Sequence, residues 1–200
     1  MRKVILSAVL LAAFSSNDVL AQQQVKFGPK AGVNFANISG LDNSEIKTGF
    51  HVGAVAEIKF NEKFSIQPEL LYSAEGAKFT GSYPIVGNVE AKLNYDYINI
   101  PILAKYYIVD GFSVEAGPQV GFLVKAEDKL SNASTELTND VKNNLSSTTF
   151  GLGFGVAYDL PMGLFVNGRY NLGLSDIVKN NNNSAQKSNV IQVGLGYKFD

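Results

Sequence analysis

A single histidine, His51, and no cysteine among 200 residues narrow the chemistry open to this chain. Transition-metal sites draw on several imidazole and thiolate ligands, so no metal and no cofactor is expected. Nucleophilic catalysis requires a nucleophile, a base and an orienting carboxylate within mutual reach. One set qualifies: His51, Ser73 and Glu75. If their segments pair about a turn at Asn61-Glu62-Lys63 with Phe60 opposite Phe64, His51 comes opposite Ser73, with Glu75 on the same face. That face points inward, whereas a lipid substrate would demand an outward site. The reading is therefore no enzyme, with a lipid-modifying hydrolase as the alternative. The other reactive groups are charges that recur on one parity: Lys30, Glu57, Glu69, Lys105, Glu115 and Arg169, joined by Lys59, Glu75, Lys125, Asp159 and Lys198. Counting across Val109–Gly111 sets Lys105 opposite Glu115, and counting across Pro161–Gly163 sets Arg169 opposite Gly155, whose missing side chain leaves room for a guanidinium.

The elements that must hold these groups are strands. In Phe150–Leu160, FGLGFGVAYDL, every second residue is large and apolar, and the residues between are Gly151, Gly153, Gly155, Ala157 and Asp159. A period of two is a strand. A soluble sandwich would hydrate its second face, whereas a near-bare one suits a small closed barrel with its bulky side in lipid and its thin side in a crowded interior. The same alternation runs from Val25, over Gly49–Phe60, from Phe64 to about Lys78, over Leu93–Ile108, from Phe112 to Lys125, from Leu164 to Leu172 and over Asn189–Phe199. Polar stretches at Asn37–Thr48, Phe79–Lys92, Ala126–Ser147 and Asp176–Ser188 alternate with three tight turns. Long loops alternating with short turns are the signature of an outer-membrane barrel, turns periplasmic and loops external. The expected fold is thus an all-β, eight-stranded antiparallel up-and-down transmembrane β-barrel with both termini periplasmic. Lipid contains no water to satisfy an open edge, so the sheet must close.

The totals agree. A net charge of −1 provides no basic footprint for nucleic acid. Met1-Arg2-Lys3, the apolar run Val4–Phe14 and Val19-Leu20-Ala21 read as a signal peptide over 1–21 with cleavage before Gln22, leaving 22–200 as the barrel domain. The apolar run is about half of the roughly 20 residues that a spanning helix needs. Pro29, Pro68, Pro101 and Pro118 fall inside the strands, where each removes a ladder donor, so bulges or rim positions are expected at some of them, or else shorter strands. The aromatics Phe27, Tyr72, Tyr95, Tyr97, Tyr106, Tyr107, Phe112, Tyr158, Tyr197 and Phe199 include many at strand ends, read as membrane belts, with ordinary strand aromatics as the alternative.

GPKAGVN at Gly28–Asn34, QPELLYS at Gln67–Ser73, YINIPILAKY at Tyr97–Tyr106 and AGPQVGFL at Ala116–Leu123 resemble the strands of the PorT-like outer-membrane β-barrel family of Bacteroidetes-type bacteria. The resemblance spans nearly all of the chain after the signal segment. It implies a small antiparallel barrel with prolines at these positions, and it supplies no reaction. Gly194–Phe199 resembles the aromatic-ended terminal strand read by the barrel-insertion machinery, although Asp200 follows the aromatic residue here.

Outer-membrane lipid and the insertion machinery are the expected partners, with the extracellular partner open. An eight-stranded barrel is just wide enough to be filled by its own side chains, and buried ions must pair. The expected role is structural or surface-interacting, with a plugged lumen. The alternatives are a narrow pore or secretion accessory, and a soluble lipocalin-like carrier, which would carry its apolar face inward. Ala126–Ser147 and Asp176–Ser188 lack aromatics and read as solvated loops, and Phe79–Lys92, with Tyr83 and Ile85, as the adhesive one.

Overall fold

The computed structural model describes residues 24–41, 43–83, 87–131, 136–179 and 184–199; the expected signal segment lies outside them. The alternating segments form β1 (Gln24–Ser39), β2 (Lys47–Lys59), β3 (Phe64–Tyr83), β4 (Gly87–Val109), β5 (Phe112–Ser131), β6 (Glu136–Asp140), β7 (Thr148–Asp159), β8 (Leu164–Gly173) and β9 (Lys187–Tyr197). Each barrel strand pairs antiparallel with the next, β5 pairs with β7, and β9 returns to β1. Eight strands close the ring, while β6 lies outside it on the upper part of β5. Gly111 and Gly163 sit at φ 77° and 86° in the tight turns, a left-handed conformation that a Cβ would oppose.

The stagger of the ring sets its width. Partners followed from Gln24 run through Lys59, Ser65, Lys105, Glu115, Gly155, Arg169 and Gln192 and return to β1 at Asn34, ten residues along. With eight strands, that offset requires a strand tilt of roughly 40° and an interior wide enough for side chains alone. The circuit also shows why distant residues meet: positions far apart in sequence lie on one turn of the spiral.

The two faces are sorted by polarity. Phe27, Phe50, Leu70, Ile102, Phe154 and Leu195 point away from the axis, Phe27 being 60% exposed and Leu195 54%. Lys105 is 0% exposed and Arg169 2%. This is the reverse of a lipocalin, whose apolar side lines the cavity. Aromatic rings gather at both rims: Phe60 and Phe64 stack at 5.8 Å and Tyr197 meets Phe199 at 4.9 Å at the turn end, and Phe50 meets Tyr72 at 5.8 Å toward the loop end. Among the described residues no helix is long and apolar enough to cross a membrane.

The strands depart from the sequence reading in several places. The polar stretch Phe79–Lys92 is for the most part a continuation of β3 and β4, paired out to Tyr83↔Gly87, because nothing in an alternating polar segment forbids the ladder outside lipid. Ile85 lies outside the described residues. Lys125 points outward: Asp96 pairs with Lys125 but Tyr97 pairs with Leu123, so a bulge at Val124 shifts the parity by one. Tyr95, Tyr97 and Tyr107 are buried within the ring instead of belting it, since odd positions of β4 face inward. The prolines produce no bulge. The ladder skips the pairs beside Pro68, Pro101 and Pro118 and resumes in the same register.

Closure is testable because the chain has no cysteine. A Val33→Cys/Val193→Cys double variant places thiols on directly paired residues of β1 and β9 and should be joined within one chain by a short thiol crosslinker. Failure of that pair, alongside efficient linkage of Val52→Cys/Tyr72→Cys across β2 and β3, would show an open seam.

Candidate functional site

The lumen is filled in layers. At its centre, Arg169 of β8 forks onto Glu69 of β3, Nη1 donating to Oε2 at 2.9 Å and Nη2 to Oε1 at 2.8 Å. Its Nε donates to Glu115 Oε1 of β5 at 2.8 Å. Lys30 of β1 lies 3.2 Å from Glu69 Oε2, and Gln67 Nε2 donates to Glu69 Oε1 at 2.7 Å. Four strands are thus tied through two carboxylates and two cations, all buried. Planar, bidentate geometry is what arginine supplies and lysine does not. Gly155 makes the room: a Cβ there would lie 3.1 Å from Glu115 Oε1.

Toward the turn end a second cluster joins Glu57, Asp159, Lys105, Lys198 and Tyr107. The Tyr107 hydroxyl donates to Glu57 and, at 2.7 Å, approaches Asp159 Oδ2. Ser65 Oγ donates to Glu57 Oε1 at 2.6 Å. Lys198 bonds Glu57 and lies 2.8 Å from Asp159 Oδ1. Burial alone would pull the Lys198 ammonium down, but Glu57 and Asp159 outweigh it and hold it above the ordinary lysine range. This cluster floors an open mouth of about 660 Å³.

Toward the loop end the polar groups are neutral, apart from Glu75. Asn34 Nδ2 donates to Ser73 Oγ at 2.9 Å, Ser73 Oγ donates to Glu75 Oε1 at 3.1 Å, and Asn99 Nδ2 and Ser188 Oγ reach Glu75 at 2.8 Å each. The cavity beside Glu75, Asn99 and Ser188 measures about 30 Å³, roughly the share of one water molecule. Above it an apolar cap closes the ring: Ile38, Ala77, Tyr95, Tyr97, Leu123, Ala126, Leu145 and Ile177 pack together, all buried. The cap corrects the reading of Ala126–Ser147 and Asp176–Ser188 as merely solvated loops. Leu145 and Ile177 anchor them, and Ser146 N donates to Ile177 O at 2.8 Å while Lys179 N donates to Asn144 O at 3.0 Å.

Apart from Lys125, which the bulge turns outward, the residues singled out from sequence lie within this interior, with partners that differ from simple cross-strand counting. Lys105 is opposite Glu115 in register, yet its ammonium lies 3.7 Å from Glu57 and 3.8 Å from Asp159 and donates to Gln67 Oε1 at 3.3 Å. Arg169 is opposite Gly155 and reaches across the lumen to Glu69. His51 is opposite Ser73, but Asn34 stands between them, its Oδ1 2.8 Å from His51 Nδ1. His51 Nε2 has no hydrogen-bond partner, so the histidine and serine form no nucleophile–base pair. Tyr107 and Tyr97 were missed as interior groups; the odd parity of β4, shared with Asn99 and Lys105, was the signal.

A closed ring with lipid-compatible rings outside and paired charges inside defines the chain as an integral β-barrel of the outer-membrane type. The chain belongs to the family described as the outer membrane protein beta-barrel domain, whose model matches residues 20–179. Among solved structures it is similar to Ail, the attachment invasion locus protein of Yersinia pestis, with a TM-score of 0.53 and 13% identity over 88% of this chain and 99% of that one. Ail in complex with the heparin analogue sucrose octasulfate gives a TM-score of 0.51 at 13% identity with the same coverage. Neisserial surface protein A gives 0.49 at 15% identity, covering 88% of this chain and 99% of its own. At such identities the likeness is one of fold. No curated protein sequence matched the chain.

Arg169→Ala would leave Glu69 and Glu115 buried with Lys30 as the remaining central cation. Unfolding in urea from lipid vesicles should show a loss of about 3–5 kcal/mol. A loss below about 1 kcal/mol would mean that the pairs are solvated like surface ones.

Proposed function

We propose that this protein is a non-conducting surface barrel with a structural or surface-interacting role. The observation carrying that reading is the double obstruction of the lumen: the Arg169–Glu69–Glu115 cross-link at mid-height and the apolar cap over the loop end. An ion crossing would have to break buried pairs and then enter an apolar plug, and each step carries a desolvation cost of several kcal/mol. The turns face the periplasm and the loops the exterior, as the alternation of connection lengths suggests. Residues 1–21 are a signal peptide removed before Gln22, and the final strand is read by the insertion machinery. The four proline-bearing motifs support kinship with PorT-like barrels. The separation of His51 from Ser73 by Asn34 supports a non-enzymatic role.

Purified protein in planar bilayers should show no steady unitary conductance. A reproducible open channel would overturn the plugged reading and favour the narrow pore. Protease added to intact cells should cut within residues 126–147 or 176–188 and leave the three tight turns untouched; cleavage confined to the turns would reverse the orientation.

A further inference from the structure

Above the apolar belt, β3, β4 and β5 continue as a sheet whose outward face changes character. Lys78 is directly opposite Lys92, and Lys92 is directly opposite Lys129. Like charges aligned across neighbouring strands are unfavourable, and this row places three on adjacent strands. Glu90 is shared by two of them, 3.0 Å from Lys78 and also in contact with Lys92. Below the row, Lys125 pairs with Glu127 at 3.0 Å, and the Tyr72 hydroxyl donates to Asp96 Oδ2 at 2.7 Å. Among the described residues, the groove along this face has a volume of about 760 Å³ and is lined by five lysines, the fifth being Lys47, against the two carboxylates of Asp96 and Glu127. With Glu90 between Lys78 and Lys92 counted as well, five cations meet three carboxylates on this face.

Its lower end is apolar. Ile46 and Phe50 line it, 59% and 53% exposed, and Phe50 packs on Tyr72 at the upper rim of the lipid-facing surface. A soluble polyanion has no use for such a floor, whereas a lipid has both an apolar part and a headgroup. Height selects the headgroup. From Ile98, outward in the belt, to Lys92 is six residues, or about 15 Å along the barrel axis at the strand rise and tilt of this ring. The headgroup layer of an ordinary phospholipid leaflet is only about 5–8 Å deep. A phosphorylated saccharide headgroup spans the interval.

We propose that this groove seats the phosphorylated saccharide headgroup of a lipid, its acyl portion against Ile46 and Phe50 and its phosphates on Lys78, Lys92, Lys125 and Lys129. The assignment of that lipid to the outer leaflet rests on the loop end facing outward; the binding itself does not. The test uses the full chain in neutral detergent micelles with a fluorescent bis-phosphorylated glucosamine lipid, read by anisotropy. The same lipid without phosphates, phosphatidylglycerol and a soluble sulfated polysaccharide serve as competitors. The phosphorylated glycolipid should bind in preference to all three, and Lys78→Gln/Lys92→Gln/Lys129→Gln should weaken it by about a hundredfold. The arginine counterparts should restore it. Equal binding of the dephosphorylated lipid, full displacement by phosphatidylglycerol, or displacement by the polysaccharide alone would overturn the proposal. The wild-type comparison stands whether or not the triple variant folds. Because micelles have no sidedness, a failure here is separate from a failure of the protease test of orientation.

Discussion

Arg169 sits at mid-height, where it ties β8, β3, β5 and, through Glu69, β1 together across the lumen in addition to the backbone ladders. A barrel this narrow has no separate core; its interior is the set of side chains that the inward parity delivers, and in this chain many of them are ionised. The guanidinium meets one carboxylate from β3 on the far side and one from β5, two strands away, and Lys30 completes the local balance. Once the centre is fixed, the layers follow. The turn-end cluster can remain partly open to water because it is not required to seal. The neutral layer above can rely on amides and hydroxyls, and the cap can be apolar. Removal of the central pairing would leave the remaining layers in place but uncompensated, since a buried charge without its partner costs more than the pair contributed.

Much of this was legible in the sequence, and for a definite reason. Alternation reports the face of each residue, and a short turn fixes the register of the two strands it joins, so that Lys105 opposite Glu115, Arg169 opposite Gly155 and His51 opposite Ser73 could all be counted. What alternation cannot report is which inward side chains meet across the axis. Lys105 leaves Glu115 for Glu57 and Asp159, and Arg169 reaches Glu69 a hundred residues away, because long side chains in a narrow ring find partners across it as readily as along its wall. The parity slip at Val124 was equally hidden: one unpaired residue sends Lys125 outward, and its own sequence carries no mark of the bulge.

The upper third of the molecule was the least legible part. Polar composition in Phe79–Lys92 and Ala126–Ser147 suggested loops, yet the first lies mainly in β3 and β4, and the second supplies the end of β5, β6 and the anchor Leu145. Strand pairing outside lipid needs no apolar face, and one leucine or isoleucine in a run of Asn, Ser and Lys is enough to tie a loop down if a hydrophobic surface lies beneath it. Tyr95 and Tyr97 provide that surface. The sheet that results is two-sided, with the cap on its inner face and the aligned lysines on its outer one.

The β1–β9 contact joins positions near the start of the described chain to positions near its end, Ala31 to Leu195 among them. Every other junction in the ring can form as soon as two neighbours in the chain exist, but this one waits for the last segment to arrive. Until then, two bare strand margins face the solvent at once, one at each end of an unfinished sheet. Such long-range pairing is slow and exposed to misassociation. A chain stopped short of its last dozen residues would therefore have no way to finish, however well its earlier hairpins had formed.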